Sequence, residues 1–140
     1  MPRNMGLDVG DRKIGVAVSD PSSTLATPLK TIIRLDDDKA ISEIVGLATK
    51  YNVDKIIVGL PYSLNGTIGK QAEKVLLFKD KLLQRSSVAI LMQDERLSSV
   101  SANQKLREAG KKKDKLKKEM DAAAASIILQ DYLDTLKLSS

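Results

Sequence analysis

Three acidic residues lie far apart in the sequence, and each interrupts a stretch that otherwise resembles apolar core. They are Asp8 in Gly6-Leu7-Asp8-Val9-Gly10, Glu95 in Gln93-Asp94-Glu95-Arg96-Leu97, and Asp121 in Glu119-Met120-Asp121-Ala122-Ala123. A buried, unpaired carboxylate is strongly destabilising, so such groups are normally hydrogen-bonded, ion-paired or bound to a metal. If the fold brings all three together, they could hold two Mg²⁺ ions about 3.5–4 Å apart, an arrangement that activates water for phosphodiester hydrolysis.

The composition restricts which metal could bind there. The 140 residues include no Cys and no His, so every metal ligand would have to be an oxygen atom. Oxygen ligands favour a hard cation, Mg²⁺ or Mn²⁺, over zinc. The absence of Cys favours an intracellular, cytoplasmic protein. We expect neither a signal peptide nor a membrane span, because no apolar run reaches the length of about 18 residues that a span needs.

Positive charge is concentrated in one segment. The net charge is +5, and residues 105–119 contain eight Lys or Arg against three acids, with Lys111, Lys112 and Lys113 in the middle. A solvated loop and helix face would account for this segment without any function. The alternative is a polyanionic partner such as a nucleic acid, because local positive charge attracts phosphates whatever their sequence.

The elements that would position these residues follow from the hydrophobic pattern. Gly10-Asp11-Arg12 predicts a hairpin between two β-rich runs, and Asp36-Asp37-Asp38 predicts a capped helix start. A continuous apolar run at 55–61 is typical of a strand buried on both faces. The predicted strands are 5–9, 13–19, 29–34, 55–61 and 88–92. The predicted helices start near 38, 70, 99 and 121. The third of these helices should end at Gly110 and the last at about residue 136.

This order of elements predicts the α/β class. We expect a mixed five-stranded sheet covered by helices on both faces. The length is right for a single domain, residues 1–140, and too short for two domains with a cleft between them.

Asp8 has an unusual setting on its predicted strand. Alternate residues of a strand share a face, so Gly6, Asp8 and Gly10 should point one way while Leu7 and Val9 point the other. Asp8 therefore has bare backbone on either side along its own strand. The glycines could serve close helix packing alone, but an acid between them favours access by something large, such as a metal with a phosphate backbone.

Glu95 and Asp121 have equally informative positions. Glu95 lies just past its strand, at the carboxyl end where ligands of open α/β sheets usually collect, and Asp94 should face away from it. On a helix, Asp121 shares a face with Ala125 and Ile128, so it continues an apolar stripe. The alternative for Asp121 is a helix N-cap, which stabilises a helix by about 1 kcal/mol and needs no function.

At these residues the chain resembles the YqgF/RuvX family of bacterial nucleases, which are described both as Holliday-junction-resolvase-like and as nucleases for the precursor of 16S ribosomal RNA. The motifs occur in the family's order and cover almost the whole chain. They are Gly6-Leu7-Asp8-Val9-Gly10 with Lys13-Ile14-Gly15-Val16-Ala17-Val18-Ser19-Asp20, Ile57-Val58-Gly59-Leu60-Pro61 with Asn65-Gly66-Thr67, Asp94-Glu95-Arg96-Leu97-Ser98, and Asp121-Ala122-Ala123-Ala124 with Ile128-Leu129-Gln130-Asp131-Tyr132-Leu133.

The resemblance implies a ribonuclease-H-like fold in which Asp8, Glu95 and Asp121 match the catalytic acidic triad. It also implies a role in maturing the 5′ end of 16S ribosomal RNA, with resolution of branched DNA junctions as the alternative. Beside the triad, we interpret a set of polar and basic residues as candidates for contacts with the nucleic acid. These are Arg12, Asn65, Thr67, Arg96, Lys111, Lys112 and Lys113.

Two other classes compete with a nuclease. Sugar kinases and actin-like proteins also place an acid between glycines after a first strand, but they close two domains over a nucleotide, which this length cannot supply. A non-catalytic nucleic-acid-binding module would keep the fold and the basic segment without turnover. Retention of all three carboxylates favours catalysis.

Overall fold

A computed structural model describes residues 2–61, 69–94 and 113–139, with backbone alone at 113–121 and 137–139. Over these residues the chain forms five strands and three helices. In chain order they are β1 (Arg3–Val9), β2 (Lys13–Ser19), β3 (Ala26–Ile33), α1 (Asp37–Lys50), β4 (Val53–Leu60), α2 (Lys70–Arg85), β5 (Ala89–Asp94) and α3 (Lys113–Ser139). The helix predicted between residues 99 and 110 lies outside the described residues.

The strands form one mixed sheet in the order β3-β2-β1-β4-β5. The first three strands are antiparallel to one another, whereas β4 pairs in parallel with β1 and β5 pairs in parallel with β4. The predicted hairpin and the predicted mixed five-stranded sheet are therefore confirmed. Strand β1 is central, so a residue on it has a neighbouring strand on each side.

Helices α1 and α2 cover one face of the sheet. Asp36 caps α1 as expected, because its carboxylate accepts a hydrogen bond of 2.8 Å from the backbone N–H of Lys39. The larger of the two clusters of buried apolar side chains lies on this face. From the strands it includes Leu7, Val9 and Ile56, and from the helices Ile41, Ile44, Val75, Phe78 and Leu82.

Helix α3 covers the other face, so helices lie on both faces as predicted. Ala125, Ile128, Leu129 and Leu133 pack there against Ala17 of β2 and Ile57 of β4. The side-chain amide of Gln130 accepts a hydrogen bond of 2.9 Å from Ala26 N and donates one of 3.1 Å to Thr24 O. These two bonds fasten the helix to the beginning of the edge strand β3.

Two expectations about the elements were wrong in detail. Helix α3 begins at Lys113 rather than near Asp121, because the intervening residues are good helix formers without Gly or Pro. Strand β3 begins at Ala26, since an edge strand tolerates Pro28.

None of the helices in the described part of the chain is both long enough and apolar enough to cross a membrane.

Candidate active site

One edge of the sheet gathers the segments that carry the predicted site residues. Strands β1, β4 and β5 run parallel, so their carboxyl ends lie at the same edge. Strand β1 ends there at Val9 and leads into the hairpin, β4 ends at Leu60, and β5 ends at Asp94. Ligands of open α/β sheets usually bind at the carboxyl ends of strands.

Asp8 lies on the central strand near this edge, on the face that α3 covers. Gly6, which precedes it by one full strand repeat, contacts α3, whereas Leu7 and Val9 belong to the core beneath α1 and α2. The predicted alternation of faces is thus confirmed. The Asp8 side chain is partly exposed rather than fully buried.

Glycines also border Asp8 on the neighbouring strands. On one side Asp8 pairs directly with Gly15 of β2. On the other side Leu7 pairs with Val58 of β4, and the next residue of β4 is Gly59. The two strands next to Asp8 therefore carry no side chain at its level, a feature often found where a ligand or another backbone approaches a strand closely.

The sequence interpretation missed these two cross-strand glycines, because it considered only the glycines along β1 itself. A signal was available for Gly15. The hairpin is centred between Asp11 and Arg12, and that centre fixes Asp8 opposite Gly15. For Gly59 the sequence holds no comparable signal, since the register of a parallel pair is set by tertiary packing rather than by a turn.

Gly6 allows α3 to approach the sheet closely. A Cβ atom at position 6 would lie 2.7 Å from the carbonyl oxygen of Ala125 and 2.8 Å from Cβ of Leu129. Both distances are shorter than van der Waals contact, so only glycine permits this spacing. The close approach brings the helix backbone down onto the strand that carries Asp8.

The direction of α3 determines where Asp121 lies. Gln130 is hydrogen-bonded to Ala26, which pairs with Ser19. The Ser19 hydroxyl accepts a hydrogen bond from the backbone N–H of Asn4, so Gln130 lies at the level of the start of β1. Ala125 lies further along, above Gly6. Helix α3 therefore runs antiparallel to β1, and its earlier residues lie toward the edge with the candidate site.

Asp121 precedes Ala125 by four residues, which is about 6 Å along a helix axis and returns to nearly the same helix face. Asp8 follows Gly6 by two residues, which is about 6.6–6.8 Å along a strand. The helix turn that contains Asp121 thus lies at the level of Asp8. Because α3 begins at Lys113, Asp121 is well inside the helix, and the N-cap interpretation of this acid was wrong.

Glu95 lies outside the described residues, but its predecessor is placed. Asp94 is the last residue of β5 and pairs with Leu60, which belongs to the core beneath α1 and α2. Asp94 is therefore on the opposite face from Asp8, in agreement with the expectation that it faces away from the site. The position of Glu95 on the same face as Asp8 remains a prediction.

The hairpin after Asp8 is held by a network of charged groups. Arg34 donates hydrogen bonds of 2.8 Å both to the carbonyl oxygen of Gly10 and to the carboxylate of Asp37. Lys81 donates to the other oxygen of Asp37 at 2.7 Å. The hydrogen bonds from Arg34 and Lys81 lower the pKa of Asp37 from 3.8 to about 2, because they stabilise its charged form.

The remaining predicted site residues are placed only in part. Arg12 is exposed and lies in the hairpin at the site edge. Lys113 is the first residue of α3, and its side chain is not among those described. Asn65, Thr67, Arg96, Lys111 and Lys112 lie outside the described residues. Among the side chains that are described, no three acidic groups lie close enough to hold a metal ion, and Glu95 and Asp121 do not belong to that set.

Comparison with protein families and named relatives gives a consistent result. Residues 2–135 match a family model described as "RuvX: Holliday junction resolvase". A protein of Chloroflexus aurantiacus named "Putative pre-16S rRNA nuclease" is 48% identical over 130 residues, which is 93% of this chain and 85% of that protein. A Clostridium botulinum protein of the same name is 46% identical over 134 residues, covering 96% of this chain and 98% of that one.

Solved structures with a similar backbone are far less similar in sequence. RuvC of T. thermophilus, in complex with a Holliday junction substrate, has a TM-score of 0.59 at 13% identity and covers 96% of both chains. The resolvase of Fowlpox virus, in complex with Holliday junction DNA, has a TM-score of 0.58 at 16% identity, covering 96% of this chain and 98% of that one. At such identities the likeness concerns the fold alone, and it confirms the expected ribonuclease-H-like architecture.

Proposed function

Because this chain belongs to the RuvX family of nucleases, we propose that it is a metal-dependent nuclease that hydrolyses phosphodiester bonds in RNA. The substrate we propose is the precursor of 16S ribosomal RNA, as in the names of the relatives that share nearly half of its residues. In bacteria this precursor is matured in the cytoplasm, so the proposal puts the protein there as well.

The surroundings of Asp8 carry this proposal. An acidic side chain lies on the central strand, with Gly15 opposite it and Gly59 next to it on the other neighbouring strand. Large side chains on the two neighbouring strands would cover a carboxylate at this position, whereas glycines leave it uncovered by those strands. Bare backbone around a partly exposed carboxylate, at the edge where three parallel strands end, instead suits a phosphate group with its cations.

The available donors fit a hard divalent cation. With no His or Cys anywhere in the sequence, only oxygen ligands are available, and these suit Mg²⁺ or Mn²⁺. Asp8, Glu95 and Asp121 would hold the cation. Bound there, it would supply a water of lowered pKa and positive charge to offset the charge of the phosphate.

The other proposed roles concern binding of the substrate. Arg12, in the hairpin directly after Asp8, can contact a phosphate at the site, and Arg96 directly follows Glu95 in the sequence. Asn65 and Thr67 belong to the segment after β4, which leaves the sheet at the same edge. Lys111, Lys112 and Lys113 precede or begin α3, where they would contact phosphates further along the strand.

The second candidate function is the resolution of Holliday junctions. The description of the matching family favours it, and it requires the same acidic triad acting on branched DNA. The two functions differ in the nucleic acid that must be accommodated around the edge, not in the chemistry at Asp8.

A cleavage assay with three labelled substrates separates these functions. The purified chain is incubated with single-stranded RNA, a 16S ribosomal RNA precursor fragment and a four-way DNA junction, each with Mg²⁺, with Mn²⁺ and with excess EDTA. We expect metal-dependent cleavage of the precursor RNA, and a rise in melting temperature on adding metal because the cation binds the native state.

Preferential cleavage of the junction would replace the RNA assignment by the resolvase one. Binding of RNA without cleavage in any metal would instead indicate a non-catalytic module. Undiminished cleavage in EDTA would contradict the metal dependence.

A further inference from the structure

Arg34 connects the hairpin after Asp8 to both helices on the far face of the sheet. Its Nη1 donates to the carbonyl oxygen of Gly10 at 2.8 Å, and its Nε donates to Asp37 of α1 at 2.8 Å. Its guanidinium lies 4.8 Å from the centre of the Phe78 ring of α2. Its backbone N–H also donates to the carbonyl oxygen of Arg12 at 2.8 Å. Arg34 thus holds the first and the last carbonyl of the three-residue turn Gly10-Asp11-Arg12.

The side chain of Arg34 is itself held on several sides. It is only 15% exposed, and the Phe78 ring beneath it is almost fully buried. Lys81 binds the second oxygen of Asp37, so the acid that orients Arg34 is fixed from two directions. Because few rotamers remain to a side chain with these partners, the position of its guanidinium is well defined.

The turn depends on these contacts for its position. Within the turn, the N–H of Gly10 donates to the carbonyl oxygen of Lys13 at 2.9 Å, which closes the hairpin but does not orient it relative to the helices. A second link, from Lys74 to Asp11, is exposed and 3.4 Å long, and exposed pairs of this kind contribute little. Among the described contacts between this turn and helices α1 and α2, those made through Arg34 are therefore the shortest and the best shielded from solvent.

We propose that Arg34 is a positioning residue for hydrolysis: it fixes the Gly10-Asp11-Arg12 turn so that Asp8 and Arg12 meet the cation and the phosphate in the required geometry. This inference rests on the proposed nuclease function. Asp8 is two residues before Gly10, so a shift of the turn moves the carboxyl end of β1 and the guanidinium of Arg12 together. Residues that orient metal ligands typically affect activity about 10–100-fold when removed.

The test compares Arg34→Met with Ile44→Val. Methionine keeps an apolar cover over Phe78 but has no donor for Gly10 or Asp37. Ile44 is fully buried in α1 and belongs to the same core, so its shortening destabilises the protein without touching the turn. Each variant is measured for turnover at saturating RNA and metal, and for hydrogen exchange of the Gly10 amide relative to the amides of β1 and β4.

For Arg34→Met we expect turnover to fall about 10–100-fold, with exchange of the Gly10 amide accelerated more than that of the strand amides. For Ile44→Val we expect turnover close to that of the parent and a uniform change in exchange. Arg34→Lys should restore only part of the turnover, because one ammonium cannot bind Gly10 and Asp37 with the planar fork that the guanidinium provides.

Two results would overturn this inference: unchanged exchange at Gly10 in Arg34→Met, or accelerated exchange with unchanged turnover. A parent protein that cleaves no RNA in any metal would overturn the proposed function itself, and the role of Arg34 in hydrolysis with it. These failures are distinguishable, because the first two appear only in the variant.

Discussion

At the scale of single residues, the proposed chemistry depends on the glycines around Asp8, which lie both along its own strand and on the two adjacent strands. Gly6 and Gly10 precede and follow it on the same face, and Gly15 and Gly59 border it on the adjacent strands. Gly15 and Gly59 leave the adjacent strands without side chains beside the carboxylate, and Gly6 lets α3 approach the strand closely. In the proposed function, the oxygens of Asp8 coordinate the cation.

The first prediction concerns Asp8→Asn, with Glu95→Gln and Asp121→Asn expected to behave alike. Removing a residue that orients a metal ligand reduces activity about 10–100-fold. Loss of the charge of the ligand itself should reduce the cleavage rate by more than that. Without metal, the melting temperature should stay the same or rise, because clustered carboxylates repel one another when no cation is bound. Cleavage and thermal unfolding are measured on the same samples.

Asp54→Asn provides the matched control, since Asp54 is an exposed aspartate at the beginning of β4, at the opposite edge of the sheet. It should change neither quantity. Ready unfolding of the three triad variants would mean that the acids are structural.

The sequence predicts these residues unequally. Asp8 and its face follow from the alternation along one strand, because that periodicity is local. The level of Asp121 relative to Asp8 depends on Gly6 and on the contacts of Gln130 with β3, and both link residues more than 100 positions apart. No local pattern encodes such a distance, so the level of Asp121 relative to Asp8 could be predicted only from the fold or from a family resemblance.

At the scale of elements, the packing of α3 on β1 is the contact on which the site depends. The second prediction is that Gly6→Ala destabilises the protein by about 1–3 kcal/mol, because the new methyl group would overlap the backbone of α3 at Ala125. Since α3 also carries Asp121, turnover at saturating substrate should fall as well. Urea unfolding and steady-state kinetics measure the two effects.

Gly46→Ala is the control for this change. Gly46 lies in α1 with nothing within 4 Å of the position of a Cβ atom, so alanine there should be neutral or stabilise the helix by about 0.5–1 kcal/mol. If Gly6→Ala were as stable and as active as the parent, close approach of α3 would not matter to the site.

The third prediction concerns the contact of Asp37 with Arg34 and Lys81. Its pKa is lowered to about 2 by these hydrogen bonds, so the folded state favours the charged carboxylate. The resulting stability is present above the unfolded value of 3.8 and is lost as the pH falls from about 4 to about 2. Asp37→Asn should therefore destabilise the protein at pH 6 by about 1 kcal/mol, allowing for solvent screening.

The difference between Asp37→Asn and the parent should shrink as the pH approaches 2, as measured by urea unfolding at a series of pH values. Asp38→Asn is the control, because Asp38 is in the same helical turn but its side chain is 92% exposed and contacts Arg85 at 3.5 Å. An equal effect of both substitutions would mean that the helix terminus, and not the contact with Arg34, accounts for the destabilisation.

At the scale of the whole molecule, the candidate site lies where β1, β4 and β5 end. At the opposite edge, where these strands begin, hydrogen bonds between uncharged groups hold the elements together. Gln130 binds Thr24 and Ala26 at that opposite edge, and the Ser19 hydroxyl binds the backbone N–H of Asn4. The class and the number of strands were predictable from sequence, because hydrophobic periodicity reports burial of each face. The start of α3 was not, because capping preference at Asp121 competed with the helix-forming lysines and leucine before it.

The last prediction separates substrate binding from catalysis through the basic segment. The basic segment contains Lys111, Lys112 and Lys113, which precede Asp121 by at least eight residues, or more than two turns of a helix. Contacts of these lysines with phosphates would therefore be remote from the bond being cleaved. Replacing all three with Gln should weaken RNA binding about equally for different sequences, because phosphate contacts carry no base information. The slope of log affinity against log salt should fall by about 0.7 for each phosphate of the single strand that a lysine no longer neutralises.

Turnover at saturating RNA should be largely unchanged in this triple variant, since uniform binding raises KM without altering the chemical step. Lys50→Gln is the control, because Lys50 is exposed at the end of α1, away from the site edge, and its replacement should leave the salt slope unaltered. An unchanged slope in the triple variant would mean that these lysines only solvate the surface. A comparable fall in saturated turnover would instead mean that the basic segment reaches the reacting phosphate, so that binding and catalysis share the same residues.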